Sequence, residues 1–255
     1  MAESSNNEPN TQSPHQVGCA ELPPGMSRPK YFEKLSLLEV AAFHNRKPQS
    51  SKPGRKVVRG WRAKSPKSAQ FSVLAHIELT GPKSFPIDVQ GSELTASLAD
   101  SCNVLQAEAV VFRTPATFSP SAQNRERMKT YFAEVASAEQ FGNTVRVWEP
   151  GGLWEHKGIT EMAEQCGLLV AIDPLAQDPL DENAAFLAEQ MARGEAYLRI
   201  SGLGHSRRRY DGYQLEMLAE MLQELARSWT LFAHQGMYPD ALAMQREVLA
   251  MYPEQ

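Results

Sequence analysis

The sequence predicts an α/β fold, a (β/α)8 TIM-type barrel in a single domain. Three observations lead there. Short apolar runs alternate with helical patterns along the chain, and such alternation signals a parallel sheet. Eight of these units fit within about 240 of the 255 residues, close to the usual size of such a barrel, about 250 residues. No Gly-rich dinucleotide fingerprint follows any run: Gly202-Leu203-Gly204 lacks the third glycine. That sets the alternative, an open doubly wound sheet, behind the barrel.

The elements follow in order. Residues 1–14 are rich in Ser, Asn, Glu and Pro and cannot build a core, so they read as a disordered polar tail, with the barrel domain spanning 15–255. Strands are predicted over 16–21, 35–43, 71–79, 107–113, 144–149, 168–173, 196–201 and 228–234. A short helix over 28–34 follows the first, and the segment after the second reads as irregular. Helices are predicted over 93–104, 121–138, 158–166, 181–193, 211–227 and 239–251. Ser121 suits an N-cap and Pro239 a first turn. Leu215, Leu218, Met221, Leu222 and Leu225 fall at helical spacing.

Composition narrows the class. No apolar run approaches 18 residues, so no membrane-spanning helix is expected. The polar start has no secretory pattern. Cys19, Cys102 and Cys166 are odd in number and form no CxxC pair, which points to a reducing cytoplasm. The net charge of −4 hides an asymmetry. Residues 1–70 hold 12 basic and 5 acidic side chains, and nine of the basic ones lie between Arg46 and Lys67 with no acid among them. Arg207, Arg208 and Arg209 form a second cluster. Both clusters follow predicted strands and would emerge on one barrel face, where such a field attracts a phosphate-bearing ligand or nucleic acid. The plain alternative is solvated surface charge.

Strand alternation sorts the side chains. Leu38, Val40, Val110, Phe112, Leu198 and Ile200 suit the helix layer. Glu39, Arg113, Asp173 and Arg199 then point inward, as do Ala109, Val111, Ala171, Tyr197 and Ser201. In the third strand the same rule places His76 and Glu78 inside. The fifth strand is ambiguous: Glu149 inward with Val145 and Val147 puts Arg146 and Trp148 outside. Charged residues thus end apolar strands, at the C-terminal mouth where barrel active sites sit. Buried charges must pair, hydrate or do chemistry. Glu149 and Asp173 are the acid/base candidates, and Glu39, His76, Arg113, Trp154 and Arg199 the substrate-binding ones. A closed salt-bridge network plugging the barrel is the competing reading.

The order of motifs along the chain carries a resemblance. VGCAELPPGMSRPKYF, LLEV, Trp61 to Pro66, VVFRTPATFSPS, WEPGGLW, AIDP, YLRISG and Asp240-Ala241 together resemble a shorter branch of the YecE-like family, (β/α)8-barrel proteins of unknown function. The resemblance implies the barrel and supplies no reaction. Glu39, Glu149, Pro150, Trp154, Asp173, Pro174, Arg199, Gly202 and Phe232 match the family pattern. Ala41, Phe43, His44 and Asn45 depart from its Asn/Gln, Thr, Phe and Tyr. His76 stands for Lys, Arg113 for Gln, Gly151 for Arg, Ser201 for His, and Ala233 and His234 for an Asn pair. The retained charges favour an enzyme; the lost polar positions favour a non-catalytic binding barrel.

The sequence assigns no cofactor. His44, His76 and His234 lie near strand ends and are the weak candidates for a metal site, without HxH, HExxH or DxH spacing. Trp154, in the loop after the fifth strand, is the aromatic expected to touch a ligand.

Overall fold

In a computed structural model, residues 13–44, 53–81, 84–176, 181–202 and 209–252 are described. The 1–12 part of the expected tail lies outside them. Ser13 and Pro14 already adjoin the sheet, for the Ser228 amide donates to the Pro14 carbonyl.

Eight parallel strands close in sequence order. They are β1 (His15–Cys19), β2 (Leu37–Val40), β3 (Gln70–Leu74), β4 (Ala109–Arg113), β5 (Val145–Glu149), β6 (Leu169–Ile172), β7 (Glu195–Ile200) and β8 (Arg227–Phe232). β1 meets β8 over five residues and β2 over two. Gly18 lies where a Cβ would sit 1.7 Å from the Leu37 carbonyl oxygen, so β1 and β2 need a glycine to approach. The helices are α1 (Arg28–Phe32), α2 (Arg55–Ala63), α3 (Ile77–Thr80), α4 (Val89–Leu105), α5 (Ala122–Thr130), α6 (Ala138–Phe141), α7 (His156–Cys166), α8 (Asp181–Met191), α9 (Gly212–Leu222) and α10 (Met237–Ala250).

Strand alternation gives two hydrophobic cores. Leu37, Leu74, Ala109, Val111, Val147, Tyr197, Trp229 and Leu231 fill the barrel interior. Leu38, Val40, Phe71, Val73, Val110, Phe112, Trp148, Val170, Leu198 and Phe232 face the helices. This resolves β5: Trp148 is outside, and Arg146 lies outside too, donating to the Phe132, Ala136 and Cys166 carbonyls.

Several boundaries differ from those the sequence predicts. β3 stops at Leu74. His76 then caps α3, its Nδ1 accepting from the Glu78 amide at 3.1 Å, so strand alternation no longer governs Glu78. The helix predicted over 121–138 starts as expected, with Ser121 accepting from the Asn124 amide. It then passes into a π turn at Tyr131–Val135 and restarts at a Ser137 cap. α9 ends at Leu222, and Arg227 opens β8.

The segment expected to be irregular after β2 contains α2, a highly basic helix whose buried residue is Val58. Arg55, in its first turn, pairs at 3.4 Å with Asp100, well along α4 toward that helix's C-terminal end. α2 therefore begins below the rim of the barrel. Arg62 holds the approach to β3 by donating to the Pro66 and Ala69 carbonyls.

Candidate functional site

The inward positions at the C-terminal ends of β2, β4, β5 and β7 bring four charges into one chain of contacts. Arg199 Nη1 donates to Glu39 Oε2 at 2.5 Å, and its Nε lies 3.4 Å from Glu149 Oε2. Arg113 Nε donates to that same Glu149 oxygen at 2.8 Å. Beneath them the Tyr197 hydroxyl is 3.4 Å from Glu39 Oε2 and 2.8 Å from Ser72 Oγ. Exposure rises toward the mouth: the side chains of Glu39 and Arg199 are 1% and 8% exposed, those of Glu149 and Arg113 24% and 35%.

Electrostatics follow from that gradient. Burial works against charge on Arg199, but Glu39 and Glu149 more than offset it and hold its pKa above the ordinary arginine value. Burial, with the charge of Glu39, pushes Tyr197 well up. Arg199 is therefore a permanent internal cation committed to two carboxylates. The inner part of the predicted site is an ion-pair network. Arg113 is its accessible cation.

Asp173 is held differently. Its Oδ2 accepts from the Ser201 amide at 2.8 Å and its Oδ1 from the Leu175 amide at 3.1 Å. Among the described residues it makes no ion pair. Burial raises its pKa, against the opposing effect of those amides.

A further cluster borders Asp173. Asp240, in the first turn of α10, is fully buried; it accepts from Arg209 Nε at 2.7 Å and from the Tyr210 amide at 3.3 Å. His234 Nε2 lies 3.5 Å from its second oxygen, while His234 Nδ1 accepts from the Gly236 amide at 3.1 Å. Burial lowers the His234 pKa, opposed by Asp240 and Asp173. The Tyr210 ring meets His234 edge-on at 5.5 Å, and burial together with Asp173 pushes its phenol up to about 12. Gly202 makes this packing possible. Its φ is +89°, and a Cβ there would lie 2.7 Å from His234 Cβ.

The structure therefore gathers Glu39, Arg113, Glu149 and Arg199, with Asp173 just past the end of β6, between β5 and β7. Trp154, the aromatic expected to touch a ligand, is buried. Its indole N–H donates to the Phe118 carbonyl at 2.7 Å, and its ring is sandwiched by Phe118, Trp148 and the Arg125 guanidinium. The indole's donor is engaged and the residue is 8% exposed. His44 Nδ1 donates to the Ala75 carbonyl at 2.7 Å. Among the described residues, no three His, Cys, Asp or Glu side chains converge to hold a metal.

Part of the expected basic face lies among the described residues. The described portion of the stretch from Arg46 to Lys67 is largely α2, beside the barrel wall, and Arg209 is tied to Asp240. Arg46, Lys47, Arg207 and Arg208 lie outside the described residues. Sequence reasoning missed Asp240, Tyr197 and Ser72 as site-building groups. Arg209 lies 31 residues from Asp240, Ser72 lies 125 from Tyr197 and Glu39 lies 158 from Tyr197, and no local pattern announces these pairings.

These features define a class: a closed (β/α)8 barrel with a paired-charge site at its C-terminal mouth. No family model matches the chain, and no curated protein matches it. Solved structures share the fold. A DUF72 family protein from Enterococcus faecalis is 13% identical with a TM-score of 0.66, covering 92% of this chain and 97% of its own. A DUF72 family protein from Thermotoga maritima is 12% identical with a TM-score of 0.61, covering 92% and 99%. D-psicose 3-epimerase from Clostridium cellulolyticum, solved with D-tagatose, is 13% identical with a TM-score of 0.57, covering 92% and 96%. Among the described residues no helix is long and apolar enough to cross a membrane.

Proposed function

We propose that the chain is a divergent YecE-like barrel of enzymatic type that takes a small phosphate-bearing ligand at its C-terminal mouth. The observation that carries this reading is the contrast among the site carboxylates. Glu39, Glu149 and Asp240 each engage a guanidinium, whereas Asp173 makes no ion pair among the described residues and accepts from the Ser201 and Leu175 amides. A carboxyl at a strand end whose pKa is raised by burial suits proton transfer. Asp173 is the proton-transfer group in this reading, and Arg113 the anion contact. Glu149 has one oxygen shared by two guanidiniums, so its part is to aim Arg113. Glu39 and Arg199 build the floor, and His76 fixes the β3 corner beside it.

A small ligand is favoured over a nucleic-acid duplex, because the described basic residues of α2 flank the barrel wall and Arg209 is neutralised by Asp240. A non-catalytic binding barrel is the second reading, favoured by Gly151. A Cβ there would lie 2.3 Å from the Thr114 carbonyl oxygen, so this loop has no room for the arginine of the family pattern.

Equilibrium binding of inorganic phosphate, with mass spectrometry of a phosphorylated metabolite pool before and after incubation, tests the reading. Arg113→Ala should abolish phosphate binding. Asp173→Asn should keep binding and lose turnover. Phosphate binding that survives Arg113→Ala would overturn the assignment, and binding without turnover in the wild type selects the non-catalytic barrel.

A further inference from the structure

We propose that the base of the barrel, together with the exposed face of α2, is a docking surface for an acidic segment of a partner protein that carries one apolar anchor residue. The surface lies away from the mouth and is independent of the phosphate reading.

A cavity of about 170 Å³ opens there. Phe32, Leu35, Ala69 and Leu249 give it apolar walls, and Lys34 and Ser68 a polar edge. Ala69 immediately precedes β3 and Leu35 lies two residues before β2, so the cavity sits at the N-terminal end of the strands. Leu249, near the end of α10, forms one wall and is still 57% exposed. Covering it would remove apolar surface from water. An apolar cavity of about 150 Å³ holds a benzene ring, so this one admits one apolar side chain from outside.

Charge fixes the kind of segment that carries the side chain. Between Glu39 and Glu78 the chain has no acid. On α2, Arg55 pairs with Asp100 and Arg62 donates to the Pro66 and Ala69 carbonyls. Lys56, Arg59, Lys64 and Lys67 are exposed and make no ion pair among the described residues. Beside the cavity walls in sequence, the cations Lys34, Lys67 and Arg246 stand against the acids Glu33 and Glu247. Residues 71–255 hold 14 basic and 25 acidic side chains, so the basic excess belongs to the part of the chain that builds this wall. A local field of that sign selects and orients an anionic partner.

An acidic protein segment fits this surface better than a nucleic acid. Single strands are held by stacking bases on open aromatic faces. The rings under α2 each carry a guanidinium already: Arg28 lies 4.5 Å over Trp61 and Arg62 5.4 Å over Phe71. The cavity instead suits an apolar side chain flanked by carboxylates, an anchor in a pocket with a charged rim around it.

Selection of displayed random dodecapeptides on the whole protein tests this. Enriched sequences should place an aliphatic or aromatic residue among Asp and Glu. The leading peptide, labelled and titrated by fluorescence anisotropy, should lose affinity as salt rises. The double variant Lys64→Glu, Lys67→Glu should weaken it about tenfold or more, and Leu249→Ser about tenfold. These three side chains are exposed, so melting midpoints should stay at the wild-type value. Arg113→Ala, at the mouth, should leave peptide binding unchanged. Enrichment without the acidic–apolar pattern, or a peptide indifferent to Leu249→Ser or to the charge reversal, would overturn the proposal. So would loss of the peptide in Arg113→Ala. A labelled single-stranded oligonucleotide that binds more tightly than the peptide at equal salt, and is lost in the double variant, overturns it in favour of nucleic acid.

Discussion

Arg199 and Glu39 stand 160 residues apart in sequence and 2.5 Å apart in space, bridging β7 and β2 inside the barrel. Removing the cation leaves a carboxylate that is 1% exposed without its counter-charge. Arg199→Leu should cost about 3–5 kcal/mol of unfolding free energy in urea titration. Glu39→Leu combined with Arg199→Leu should recover part of that loss, because no uncompensated charge remains. Equal losses in the single and double variants would show that the pair's packing, not its charge balance, sets the cost.

The pH profile of stability should fall on the acid side through two histidines. Burial lowers the pKa of both His15 and His234 from 6.5. The unfolded chain then binds more protons than the folded one below pH 6.5, so stability declines as pH drops from there through the folded-state values. Melting midpoints taken across that range should show a shallower decline in His234→Gln than in wild type.

Arg209→Ala should destabilise without touching nucleic-acid affinity. Asp240 is fully buried, and the substitution strips one oxygen of its donor, costing about 2 kcal/mol. Since the charge of Arg209 is already spent on Asp240, the salt dependence of any oligonucleotide binding should stay as it is in wild type. Titrations at two salt concentrations, beside a denaturation curve, measure both quantities.

Trp154 should behave as a packing residue. Trp154→Ala empties a site walled by Phe118, Trp148 and Arg125 and should cost about 3–5 kcal/mol. Trp154→Phe should lose less and leave phosphate binding unaltered. A variant with native stability and weakened binding would return Trp154 to the ligand site.

The strands were legible because each is a short apolar run with two distinct faces. Alternation alone placed Glu39, Arg113, Asp173 and Arg199 inward. The end of β3 was not legible: an apolar run continues through Ile77 and Leu79, and the His76 cap that turns it into α3 depends on a hydrogen bond to Glu78. α2 escaped because its core-facing stripe is short, the buried Val58 and the partly buried Trp61, inside a basic run. The roles of the charges escaped for another reason. Arg113 and Arg199 look alike at strand ends, and depth in the barrel separates a reachable cation from a committed one.

The lopsided seam of β1 bears on how the chain is made. With five residues registered on β8 and two on β2, the first strand gains most of its partners from a segment synthesised last; the His15 imidazole meets its Ser228 hydroxyl across 213 residues of sequence. A ribosome that has released everything up to α9 presents an unclosed sheet whose first strand clings by its short edge. Two exposed strand edges then persist until β8 emerges. A circular permutant that begins at β8 and joins the old termini would give β1 its longer partner first and leave the six-residue β7–β8 seam to close last.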